Sequence, residues 1–152
     1  PTRKIFEILN ERHGYHVPVE EATELKERLF EELIPHVGLI EPVVKYIHDY
    51  HGKIPMAVAT GGTRSICIRT LEVLNLRQYF QAIVTADDVE HGKPAPDIFL
   101  KSAELIGVDP KLCAAFEDAE MGLVAARAAG MFVVDIRPLI GDVMNLQRQM
   151  IK

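Results

Sequence analysis

The sequence predicts an α/β domain built on a parallel sheet. Four short apolar runs, Met56–Ala59, Ala82–Thr85, Cys113–Phe116 and Phe132–Val134, alternate with stretches of helical period. That alternation is the pattern of strands joined by crossover helices. Composition agrees: 48% of the 152 residues are hydrophobic and 26% charged, enough apolar side chain for a buried core and too much for disorder.

Each element has its own local signal. Residues 3–13 carry Ile5, Ile8 and Leu9 on one helical face, and Gly14 stops the helix. Residues 19–34 repeat the pattern with Ala22, Leu25, Leu29, Phe30 and Leu33. Glu20 and Glu21 lie in the first turn, where the helix dipole favours anions. Pro35 and Gly38 break the chain. Pro42 suits a first helical position, and Val43, Val44 and Ile47 continue that helix to about Tyr50. Helices are then expected over Arg64–Leu74, Pro96–Ile106 and Ala119–Ala129, the last two closed by Gly107 and Gly130. The tail from Pro138 to Lys152 reads as a helix with one polar side.

Charge and cysteine usage narrow the partners. The net charge is −5, with no basic stripe, which argues against nucleic acid or an anionic membrane as the partner. No apolar run has the length of a membrane span, and no signal peptide is visible. Cys67 and Cys113 lack metal-type spacing and fit a reducing cytoplasm; packing roles are expected for both. A monomer or weak homo-oligomer is expected. Pro1 is not Met, so the sequence is expected to begin after the start of translation.

In a parallel α/β sheet, ligands bind beyond the carboxyl ends of the strands. Thr60-Gly61-Gly62-Thr63 follows the first run, where a hydroxyl and backbone N–H groups can meet an anion. An ordinary turn with Thr63 as helix cap explains the same residues. Glu90–Asp97 follows the second run. Pro94 and Pro96 stiffen it and would hold Lys93 still, as a counter-charge to phosphate needs. After the third run come Glu117 and Asp118. Two adjacent carboxylates at a strand end are costly without a cation, and next to a phosphate site they suit Mg²⁺. The simpler alternative is Asp118 as a helix cap with Glu117 exposed. Asp87-Asp88 reads as an exposed acidic turn, and His13/His16 and His48/His51 as surface pairs lacking a third ligand. P-loop, dinucleotide and serine-elbow motifs are absent.

The order Thr60, Lys93-Pro94, Glu117-Asp118 resembles the second, third and fourth motifs of the haloacid dehalogenase superfamily of phosphatases and phosphomutases. The stretches GKPAPDIF (Gly92–Phe99) and FEDAEMGLVAARAAGM (Phe116–Met131) are specific within it. The chain is most similar to the sugar-phosphate phosphatase and β-phosphoglucomutase branch, and PMAVATGG (Pro55–Gly62) resembles its phosphatase side.

That resemblance implies a Rossmann-like three-layer core over residues 36–152 and a partial helical cap over residues 1–35. It implies hydrolysis of a small phosphorylated sugar through an aspartyl-phosphate. Thr60, Gly61 and Lys93 would bind phosphate, Asp118 and Glu117 would hold Mg²⁺, and Lys26 would reach substrate from the cap. The family's first motif, DxDGT on a central strand, supplies the nucleophile, and no DxD occurs in this sequence. The nearest strand-end aspartate is Asp135, on the last strand. The chain is therefore expected to start inside the cap, to lack the first central strand, and to be inactive alone. A phosphomutase and a non-catalytic fragment or binding module are the alternatives.

Overall fold

The computed structural model describes residues 2–140. Helices α1 (Thr2–His13) and α2 (Val19–Leu33) form the front section. Gly14, at φ 66°, ends α1 in the left-handed conformation that glycine adopts cheaply. The Asn10 amide closes the connection, donating to Val17 O at 2.9 Å and accepting from Val17 N–H at 2.8 Å. Neither helix buries a residue. The expected apolar face is largely bare: Ile5, Leu25, Leu29 and Leu33 are 46% to 58% exposed.

Ile34, fully buried, begins the core. Helix α3 (Glu41–Tyr50) follows, with Pro42 in its first turn. Then come β1 (Ala57–Ala59), α4 (Arg64–Val73), β2 (Ala82–Val84), α5 (Asp97–Ile106), β3 (Ala114–Glu117), α6 (Glu120–Ala128) and β4 (Phe132–Asp135). The predicted order holds, with ends shifted by a residue or two. Thr85 falls outside β2, whereas Glu117 and Asp135 fall inside their strands. Residues 137–140 are helical, and the rest of the expected tail helix lies outside the described residues.

Strand period 2 sorts the core into two faces. Val58 and Ile83 join Cys67, Leu71 and Val44 under α3 and α4. Ala59, Val84 and Ala115 join Ile98, Phe99, Ala125 and Ala126 under α5 and α6. Helices on both faces of parallel strands make the three layers that the alternation predicts.

The strands do not form one continuous sheet. β1 pairs in parallel with β2, Ala57 opposite Ala82 and Ala59 opposite Val84. β3 pairs in parallel with β4, Ala114 opposite Phe132 and Glu117 opposite Asp135. Among the described residues β1 and β3 share no backbone pairing. Between them lies a slot of about 470 Å³, walled by Ala57–Ala59 and Ala114–Phe116, with Tyr46 from α3 and Phe99 from α5 closing its faces. Among the described residues no strand fills this gap.

Candidate active site

The strands are parallel within each sheet, and the carboxyl ends of β1 and β3 border the same cleft. A cleft of about 410 Å³ opens there, lined by Ala59, Thr60, Gly61, Lys93, Glu117 and Asp118. Three segments distant in sequence thus deliver a hydroxyl, an ammonium and two carboxylates to one place. Thr60 N–H donates to Val84 O at 3.0 Å, which continues the β1–β2 ladder and fixes the start of the turn. Gly62 N–H folds back onto Thr60 Oγ at 3.2 Å.

Lys93 is the bridge between the two sheets. Its Nζ donates to Glu117 Oε2 at 2.6 Å and to Ala59 O at 3.3 Å. The two side chains are only 14% and 9% exposed. The ammonium also lies 4.9 Å from the centroid of the Phe99 ring. Lys93 precedes Pro94 through a cis peptide. The two hydrogen bonds and the low exposure make its ammonium a held charge, not that of a solvated surface lysine.

The carboxylates divide differently from either simple expectation. Glu117 is buried, and its Oε1 accepts from Asp118 N–H at 3.3 Å and Ala119 N–H at 3.1 Å. Glu117 thus ties down the start of α6, and the alternative of a capping Asp118 beside an exposed Glu117 is reversed. Asp118 is exposed, and its carboxylate makes no hydrogen bond among the described residues. Its position lets it reach a cation from the cleft. One free carboxylate and one shared with Lys93 fit Mg²⁺, which keeps several waters and needs few protein ligands. Among the described residues no group of three or more metal-binding side chains occurs.

Thr63 does not cap α4. Arg64 N–H instead donates to Asp87 Oδ2 at 2.9 Å, across the cleft edge. Asp88 is likewise no loose acidic turn: its Oδ2 accepts from Arg64 Nη2 at 2.5 Å and from Thr85 N–H and Oγ, each at 2.8 Å. Those bonds, the Arg64 guanidinium first, hold its carboxyl well below the usual carboxylate range. Asp135 is occupied too. Arg137 grips both its oxygens and lowers its pKa. Lys26 lies apart from the strand-end cleft, in a second cleft of about 490 Å³ that also borders Thr60 and Gly61. Its Nζ sits 5.2 Å from the Phe30 ring centroid.

Cys67 is buried and Cys113 partly so, and burial pushes both thiols up, away from nucleophilic use.

This arrangement has relatives. A profile of haloacid dehalogenase-like hydrolases matches residues 1–136. The chain belongs to that family. It is 52% identical over 98 residues to fructose-1-phosphate phosphatase of Escherichia coli, covering 64% of this chain and 52% of the relative. It is 37% identical over 114 residues to β-phosphoglucomutase of Bacillus subtilis, covering 73% of this chain and 47% of the relative. Among solved structures, β-phosphoglucomutase of Clostridium difficile superposes with a TM-score of 0.75 at 23% identity, over 88% of this chain and 63% of that one. That likeness concerns the fold. The chain spans about half the length of the curated relatives it matches. The relatives it matches include a sugar-phosphate phosphatase and a phosphomutase.

Two site features escaped the sequence reading. Gly122 is one: a Cβ there would stand 2.1 Å from Glu117 Cδ, so the buried carboxylate needs a glycine beneath it. A glycine inside an Ala-rich helix was the available signal, since it costs about 1 kcal/mol relative to alanine. The Arg64–Asp87–Asp88 contacts are the other, and nothing local announces them.

Proposed function

We propose that this chain carries the phosphate- and cation-binding half of a phosphatase for small sugar phosphates. The convergence of Thr60, Lys93, Glu117 and Asp118 on one strand-end cleft carries this reading. Thr60 Oγ and Gly61 N–H donate to phosphoryl oxygens. Lys93, oriented by Glu117 and Ala59 O, neutralises charge as it builds on the phosphoryl group. Positioning and electrostatic stabilisation of this kind are the main work of phosphoryl transfer. Asp118, with Glu117 beside it, would hold Mg²⁺, which would supply positive charge to the phosphoryl oxygens.

The nucleophile is an aspartate on a strand that fills the slot between β1 and β3. Its carboxylate forms a bond to phosphorus as the bond to the sugar oxygen breaks, and the sugar oxygen takes a proton. Water then cleaves the aspartyl-phosphate, freeing inorganic phosphate and restoring the carboxylate. The relative that acts on fructose 1-phosphate makes that ester the first substrate to try.

A product assay on the enzyme with its nucleophile strand in place tests the reading. Free phosphate from a sugar phosphate is expected. An isomerised sugar phosphate with no release supports the mutase alternative, favoured by the likeness to β-phosphoglucomutase. Turnover of neither kind supports a binding module. Calorimetric titration with Mg²⁺ checks the cation: Asp118→Asn should weaken binding strongly and Glu117→Gln less.

A further inference from the structure

Thr60 and Gly61 line two clefts. In the phosphatase reading the phosphoryl group lies in the strand-end cleft with Lys93, and the organic part of the ester has the other cleft to extend into. That second cleft measures about 490 Å³, within the roughly 300–1,000 Å³ of small-molecule sites. Its far wall is α2. Thr23, Lys26, Glu27 and Phe30 recur there at helical spacing and line the cleft together. Ile66 and Leu71 of α4 give it an apolar side.

The charges on this cleft are unevenly available. Arg3 lines it, but its guanidinium is taken: Nε bonds Glu7 at 3.1 Å and Nη2 bonds Glu20 at 2.7 Å. Asp87 lines the near side, its Oδ2 accepting from Arg64 N–H at 2.9 Å. Lys26 is exposed, with its Nζ 5.2 Å from the Phe30 ring centroid. Glu27 is partly buried and makes no hydrogen bond or ion pair among the described residues. An ionised carboxylate only accepts hydrogen bonds, so its lone pairs are left for donors that a ligand brings. Thr23 Oγ gives its proton to Val19 O at 2.7 Å, and towards a ligand it too is an acceptor. The α2 wall therefore suits hydroxyl groups. A second anion would meet two carboxylates, Glu27 and Asp87, against the one ammonium of Lys26.

We propose that Glu27 is a specificity residue that selects the neutral, hydroxylated end of the substrate: its carboxylate accepts hydrogen bonds from sugar hydroxyls and repels a second anionic group. This deepens the phosphatase reading and rests on it. Adjacent hydroxyls can donate to the two oxygens of one carboxylate, and Lys26 beside it can donate to a hydroxyl oxygen in turn. The substrate class is then a sugar or polyol monophosphate, and sugar bisphosphates are rejected. A site built to hydrogen-bond a hydroxyl discriminates strongly, because its polar group goes unpaired when the hydroxyl is absent.

The test uses the enzyme with its nucleophile strand in place, unvaried and as Glu27→Gln and Glu27→Ala. Initial rates of phosphate release are compared for a monophosphate that it hydrolyses and the bisphosphate of the same sugar, fructose 1-phosphate and fructose 1,6-bisphosphate first. The unvaried enzyme should prefer the monophosphate in kcat/KM by about tenfold or more. Glu27→Gln removes the charge with little change of shape. That preference should shrink about tenfold, with kcat/KM for the bisphosphate rising. Glu27→Ala should also lose the preference and should lower kcat/KM for the monophosphate about tenfold, the worth of a hydrogen bond to a charged group. Glu27→Gln keeps an acceptor oxygen and should lower it less. A merely structural Glu27 would lower both esters by one factor and leave their ratio alone. That result, or an unvaried enzyme that does not prefer the monophosphate, overturns the role of Glu27 alone. An unvaried enzyme that releases phosphate from no sugar phosphate overturns the phosphatase reading, and this role with it.

Discussion

Lys93 holds partners on two different sheets, so replacing it has two consequences. Lys93→Ala removes the charge that meets the phosphoryl group, and kcat should fall about a hundredfold, near 3 kcal/mol in the transition state. It also strands Glu117, which is buried and keeps no other cation among the described residues. Breaking a buried pair by removing one partner costs on the order of 3 kcal/mol of stability. Lys93→Ala/Glu117→Gln should recover most of the stability and none of kcat, which thermal unfolding and initial rates can separate. If the double variant is active, Lys93 is structural only. Asp88 makes a pH prediction. Its carboxyl is depressed in the fold, so it stabilises above its unfolded value of about 4, and that stabilisation is lost as pH falls below it. Asp88→Asn should therefore lower the unfolding temperature at pH 7 and converge with the unvaried protein as the pH falls towards 2, measured across a pH series.

At the scale of elements, α6 shows how a helix start and a buried carboxylate constrain each other. Glu117 accepts the N–H groups of Asp118 and Ala119, and it fits only because Gly122 leaves room one turn on. Gly122→Ala gains helix propensity but drives a Cβ into Glu117. The expected net effect is a loss of about 1–3 kcal/mol, with Lys93 released and activity lost. A variant of unchanged melting temperature and rate would show that Glu117 simply moves aside. Strands and helices were legible in the sequence because apolar period and glycine stops are local. So was the convergence of Thr60, Lys93, Glu117 and Asp118, since parallel topology sends every strand end to one edge. The burial of Glu117 was legible in principle: period 2 puts it on the same face as Ala115, which is buried. The cap of α4 was not, because Asp87 is distant in sequence and Thr63 offered a local cap that the fold declines.

For the whole molecule the deciding feature is the slot. β1 and β3 each have one paired neighbour, and their other edges face an apolar space of about 470 Å³. Phe116 on β3 stacks with Tyr46 of α3 at 4.8 Å between ring centroids, so that face of the slot is covered. Among the described residues Lys93 joins the two sheets across its mouth, through Ala59 O and Glu117. An unpaired buried N–H or C=O costs roughly 1–3 kcal/mol, and each strand edge presents several. The half-exposed β1 edge can turn to water instead, so pairing with a further strand would replace those water contacts by a ladder. The slot is thus a place where one further parallel strand would find two unpaired edges. That strand would end beside Lys93, where an aspartate at its carboxyl end would face the phosphate cleft. Residues 1–152 alone should accordingly show no phosphatase activity. Amides of β1 and β3 should exchange with solvent far faster than those of a closed sheet. Cys113, which lines the slot and is only partly buried, should react with thiol reagents slowly, as its raised pKa dictates, and more slowly still when the strand is present. Turnover of sugar phosphates by a preparation shown by mass to contain this chain alone would refute the idea. So would slow exchange along both edges, because it would mean that the gap closes without an added strand.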